Sequence, residues 1–233
     1  MPVETQLIQQ HLERVAALRS ERLANGSLAQ RVAAIKRHQH LRFGRDYAGL
    51  IGSPRYGAAA GFFLSDLYGP EDFADRDAQF GRVASAMARA LPSEVMHTVA
   101  HLVELHALSE ELDQRMARAL LTDQVDDRSY RGAWLTVDRR EQRERQLDLL
   151  LEIGWALERH ARSPLLAATL RLMRGPAKAA GLSQLQSFLE RGLGAFTSMR
   201  GAQEFLEIID RNERRVINEM FTSQEKEKPG QID

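Results

Sequence analysis

The chain has 233 residues, 43% of them hydrophobic, with 32 basic and 32 acidic side chains and no cysteine. That length can bury a sizeable core unaided, the charge balance supplies no basic field for non-specific nucleic-acid binding, and the missing thiols exclude disulfides, thiolate metal sites, iron–sulfur clusters and cysteine nucleophiles. The opening MPVETQLIQQHLERV lacks the basic head and apolar run of a secretory signal, and the most apolar patch, Tyr56 to Leu64, is far shorter than the ~20 residues that span a bilayer, so a soluble, cytoplasmic protein with no membrane partner is expected.

Taken in chain order, the hydrophobic pattern is helical throughout. Ile8, Leu12, Val15 and Leu18 recur at three- and four-residue steps, the spacing of one helix face. Asn25-Gly26-Ser27 then reads as a stop, with Ser27 as N-cap of a second helix carrying Leu28, Val32 and Ile35. Ser53-Pro54 and Ser163-Pro164 each read as an N-cap followed by a first-turn proline, where the missing N–H costs nothing. Further helices are predicted over 71–91, 92 to about 121, 138 to about 161, 182–198 and 201–221. No run of alternating β-branched residues separates them, so the fold class is all-α, a bundle of about eight helices. Residues 122–137 show no clear period and read as a long connection. A single domain over 1–222 is preferred, with 1–121 and 138–222 as two sub-layers joined by that connection. The polar end, 223–233, broken by Pro-Gly, reads as a disordered tail.

The chemically most suggestive segment is SEVMHTVAHLVELHALSEELD, from Ser93 to Asp113. At about 100° per residue, Glu94, His97, His101 and Glu104 fall within roughly a quarter-turn of one another. His97 and His101 are four apart, the spacing at which imidazoles on successive turns can share a metal, and Glu94-x-x-His97 matches the carboxylate–histidine element of di-iron bundles. The match is incomplete. No second Glu-x-x-His exists, and Thr98 stands where a zincin would carry its glutamate. A third metal ligand would have to come from His38, His40, Asp66 or Asp77, and a haem could take any one of these histidines. The simpler expectation is that the stripe packs and pairs with arginines, and that His106, among Val95, Val99 and Leu102, is a hydrogen-bonded core histidine.

GFFLSDLYGPEDFADRDAQFGR, from Gly61 to Arg82, is the most distinctive stretch. Gly69-Pro70 reads as a stop and restart, with Glu71 and Asp72 at the positive end of the new helix. Asp77 falls within the apolar stripe Phe73, Phe80, Ala84, Met87 and Leu91. A buried carboxylate needs a partner, so an arginine or histidine is expected against it, with Arg42, Arg45 and Arg55 as candidates. Asp77, Asp66, Phe62, Tyr68 and Phe73, with Phe63 in the aromatic lining, form the candidate buried-polar or ligand pocket.

The runs FFLSDLYGPEDFADRDAQFGRV, HTVAHLVELHALSEELD and FLERGLGAFTSMRGAQEFLEIIDRNE resemble those of a family of uncharacterised, all-helical proteobacterial proteins, over about residues 55–221. The resemblance implies an all-α fold and carries over no activity and no catalytic residue.

Lys36, Arg37, Arg42 and Arg45 cluster around His38 and His40, but without a second basic element or a helix-turn-helix pattern a solvated basic face is expected and a nucleic-acid partner is not. Gly57 and Gly61 give a smooth face that invites close approach of another helix. Gly192-Leu-Gly194 lacks the strand and Gly-Lys of a phosphate loop, and no Gly-x-Ser-x-Gly elbow occurs. The expectation is therefore a helical binding or interaction protein with no catalytic residue and no implied cofactor. Self-association is expected through faces such as the amphipathic first helix. The alternative is a transition-metal or haem bundle using His97, His101, Glu94 and Glu104.

Overall fold

The computed structural model describes residues 3–67, 69 and 73–222, and all regular structure among them is helical. The expected tail, 223–233, and Tyr68, Pro70, Glu71 and Asp72 lie outside the described residues. Helix α1 (Val3–Ala24) gives way to α2 (Gly26–Asp46) at Asn25, whose side chain accepts from Leu28 N at 3.1 Å. The cap is thus Asn25 and not Ser27, whose hydroxyl instead accepts from Arg31. Ser53 Oγ accepts from the N–H groups of Arg55 and Tyr56, so Ser53-Pro54 makes a turn between α3 (Ala48–Ile51) and α4 (Gly57–Phe62) before helix resumes. A π-helical turn, Phe63–Leu67, continues α4. Then follow α5 (Ala74–Ala90), α6 (Ser93–Ala119), α7 (Asp127–Val137), α8 (Arg140–Ala161), α9 (Pro164–Ala179), α10 (Ser183–Met199) and α11 (Gln203–Thr222).

Helix α7 occupies most of the segment expected as an irregular connection. Its start is a capping box: Asp126 accepts from Ser129 N at 2.7 Å and Ser129 Oγ accepts from Asp126 N at 2.9 Å. Tyr130, Ala133 and Trp134, at the three- and four-residue steps of one face, are buried against the core. The box was obscured because its third residue is serine rather than the usual Glu or Gln.

Helix α6 is the axis of the packing, touching α1, α2, α7 and α8. Its first half buries apolar side chains such as Met96, Val99 and Val103, as an amphipathic helix does. Its second half also buries Glu110, Glu111 and Asp113, and the neighbouring helices answer with donors. Arg22 lies 2.8 Å from Glu110, which Lys36 also contacts; Arg14 bonds Glu111 at 2.8 Å; and Gln39 donates to Asp113 at 2.8 Å. These pairs fix the register of α1 and α2 on α6, since removing one partner strands a buried charge.

Three expectations about faces change. The apolar stripe of α1 is spent on α6 and α5 of its own chain and is not open to another chain. The Lys36–Arg45 cluster is only in part a solvated basic face: Arg37 and Arg45 are exposed, but Lys36 pairs with Glu110, Arg42 with Glu213 and Asp46, and His38 stacks on Tyr130 at 4.5 Å. A Cβ on Gly61 would meet nothing within 4 Å, whereas one on Gly192 would come within 2.9 Å of Phe62, so the close approach of α4 and α10 rests on Gly192.

Candidate functional site

The histidine stripe forms as drawn but does not converge on a metal. His97 and His101 are neighbours, ring centroids 4.2 Å apart, in an open groove with Glu94, Glu152 and Trp155. His101 Nδ1 lies 3.0 Å from Glu152, and burial, then His97, push the His101 pKa down. Glu104 is held by Arg145 through two bonds of 3.0 Å. Thr98 meets His160 at 3.1 Å. Among the described residues no group of three or more His, Asp or Glu side chains is placed to hold a metal ion.

Asp77 is buried, as its place in the stripe requires, but its partners are others. Arg19 and His106 each lie 3.0 Å from Oδ2, and Arg76 lies 3.3 Å from Oδ1. Burial disfavours the carboxylate, but His106, Arg76 and Arg19 outweigh it and bring its pKa to about 2. Of the expected donors, Arg42 goes to Glu213, Arg45 lies near Asp127, and Arg55 donates to Met199 O at 3.0 Å. His106, the expected core histidine, is the link to Asp77 and packs edge-on to Phe73.

Asp66 pairs with Arg191, and with Asp77 it lines a void of about 20 Å³ that also touches Leu12, Phe80 and Phe188. Phe62 packs on Phe63 and Phe188, and Phe73 lies beneath Arg76 at 4.1 Å. The stretch therefore makes an ion-paired seam with little free space.

The space lies elsewhere, in a cavity of about 90 Å³ between α2, α4, α6, α7, α8 and α11. One end is apolar, with Leu50, Phe63, Leu150, Phe205 and Ile209. The π-helical turn contributes Phe63 and Leu64 to this wall, and such turns occur frequently at functional sites. Ile51, 37% exposed, is the lining side chain most open to solvent.

The other end is polar. Gln39 and Arg42 come from α2, Asp113 from α6, Tyr130 and Trp134 from α7, and Arg143 from α8. Asp113 is held by Gln39, and burial raises its pKa despite the positive charges of Lys36 and Arg143. Arg143 is 5% exposed, lies over the Trp134 ring at 4.0 Å and donates to Gln146 at 3.2 Å. Arg42 forms a two-bond pair with Glu213 at 3.1 and 2.9 Å. Burial opposes its charge, but Glu213 outweighs burial and raises the Arg42 pKa. Tyr47 donates to the same carboxylate at 2.6 Å, and burial, then Glu213, push its own pKa up.

Two donors of this wall have no acceptor among the described residues. Trp134 Nε1–H and Arg42 Nε–H are both buried and unbonded. Buried donors rarely stay unpaired, because each forfeits its bonds to water. An apolar chamber with a few converging polar groups has the composition of a small-molecule site.

Apart from Phe63, none of these cavity residues figured in the expected pocket. Arg143 had a readable signal, since it opens the stripe continued by Leu147, Leu150 and Gly154, where a charge needs explaining. Asp113 sits likewise three residues before Met116 and seven before Leu120, both buried.

The chain belongs to the family defined by a domain of unknown function, DUF8198, which matches residues 9–227. No curated protein and no solved structure matches it. Among the described residues no helix is long and apolar enough to cross a membrane.

Proposed function

We propose that this member of the DUF8198 family is a binding protein that holds a small organic molecule in the cavity between α2, α6, α7, α8 and α11. The observation that carries the reading is the pair of unbonded donors, Trp134 Nε1–H and Arg42 Nε–H, at the polar end of a chamber whose other end is apolar. Ala60, 6% exposed, also lines that chamber. Ala60→Leu puts a larger side chain into the free volume of the cavity, at a cost of about 1–3 kcal/mol that thermal unfolding of the variant checks. Native mass spectrometry of the gently purified protein should show a small bound mass that Ala60→Leu lacks. Identical spectra from the two proteins would count against the reading.

A second reading, self-association, is favoured by α9. It packs chiefly on α10 and α8, and it leaves Leu165 77%, Leu172 79% and Met173 46% exposed. Leu165 and Leu172 are seven residues apart and so share one face. Burying that face against a second copy would remove it from water. Sedimentation equilibrium should show a dimer that Leu172→Glu dissociates; a monomer at micromolar concentration rules this reading out.

A further inference from the structure

From the polar end of the cavity we infer that the occupant is a small organic carboxylate, its anionic head toward Trp134, Arg42 and Arg143 and its apolar body against Phe63 and Phe205. The inference rests on the cavity reading above and names the ligand class. The unmet groups in the wall are both donors, so the missing partner is an acceptor. A carboxylate has two acceptor oxygens and could serve two donors at once.

The charge of the wall points the same way. Arg42 is matched by Glu213, so that pair adds no net charge. Arg143 brings a buried guanidinium to the cavity. Asp113 is the anion of that wall, and its burial favours the neutral acid, which can itself donate a hydrogen bond. An ammonium ligand would meet Arg143 unfavourably and would leave the Trp134 and Arg42 N–H donors without an acceptor. A neutral amide offers one acceptor oxygen and brings two further donors into a wall already rich in them.

The size of the cavity, about 90 Å³, limits the body to a short chain or a single ring unless side chains move. Phe63 and Phe205, ring centroids 5.5 Å apart and edge to face, present aromatic surface to it.

The test is calorimetric and ligand-observed NMR titration of the full chain with benzoate, benzamide, benzylamine and benzene, together with butyrate as a smaller carboxylate. The expected result is that at least one carboxylate binds about tenfold or more tightly than the amide and the amine, the discrimination that one charge-assisted hydrogen bond gives. Trp134→Phe removes the indole N–H together with part of the ring beneath Arg143, and it should weaken the carboxylate about tenfold more than it changes benzene. Asp113→Asn, which imitates the neutral acid, should keep carboxylate binding. Ala60→Leu should abolish it. Amide or amine binding as tight as carboxylate binding, or loss of carboxylate binding in Asp113→Asn, overturns the carboxylate assignment. Entry of benzene without any carboxylate also overturns it and leaves the cavity reading standing. Exclusion of benzene and carboxylates alike overturns both.

Discussion

Replacing Asp77 by asparagine keeps the shape of the side chain and removes the charge that Arg76, Arg19 and His106 converge on. The folded protein holds that carboxyl nearly two units below its ordinary 3.8, at about 2. By linkage this is roughly 2–3 kcal/mol of stability at neutral pH. The carboxylate is only 8% exposed, so solvent screening takes little from that figure. The variant also leaves Arg76 and His106 facing a neutral amide, and breaking buried pairs costs about 3–5 kcal/mol. A loss of about 3 kcal/mol is therefore expected at pH 7, or about 6–12 °C in Tm for a chain of this size. The pH dependence separates this cause from poor packing. A depressed carboxyl contributes fully above its unfolded value near 3.8, and the contribution is lost as pH falls through the folded value of about 2. Urea unfolding of both proteins from pH 7 downward should show a gap that is full above about pH 5 and closes toward pH 2. A gap under about 1 kcal/mol at pH 7, or one that stays constant with pH, refutes the assignment of Asp77 as a stabilising buried anion.

Gly154→Val should destabilise by about 1–3 kcal/mol, because overfilled cores strain. A Cβ there would stand 2.4 Å from Leu206, a fully buried side chain on α11. Thermal unfolding measures it, with Gly154→Ala expected to be milder; a neutral Gly154→Val would show that α8 and α11 are not in close contact. Asp126→Ala removes the cap of α7, and a loss of about 0.5–2 kcal/mol in denaturant unfolding is expected. No change would mean that burial of Tyr130 and Trp134 alone holds that helix. His101→Ala should cost under about 1 kcal/mol, the range of partly exposed pairs, since Glu152 opposite it is 45% exposed. Elemental analysis should give the same metal content for this variant and the parent; stoichiometric metal lost on substitution would restore the His97/His101 metal reading.

The helices were legible in the sequence because a helix is specified locally. The recurrence of Ile8, Leu12 and Val15, and Ser163 capping Leu166 N ahead of Pro164, need only neighbours within a turn or two. For the same reason the burial of Asp77 could be read from its place among Phe73, Phe80 and Ala84. Its partners could not: Arg19 is 58 residues away in sequence, and its approach depends on how α1 lies across α5 and α6. The helical pattern also placed His97 beside His101 without deciding what faced them, and tertiary packing supplied Glu152 from α8.

The cavity belongs wholly to the tertiary structure. Its polar end joins Gln39, Asp113, Tyr130 and Arg143 from four helices, none of them a motif by itself. Sequence alone determined an all-α chain and a carboxylate, Asp77, within an apolar stripe, because periodicity and charge within a stripe are properties of single helices. Only the tertiary structure decided which charges cancel, which donors go unanswered and where space remains, because free volume and unmet hydrogen bonds are properties of helices packed together.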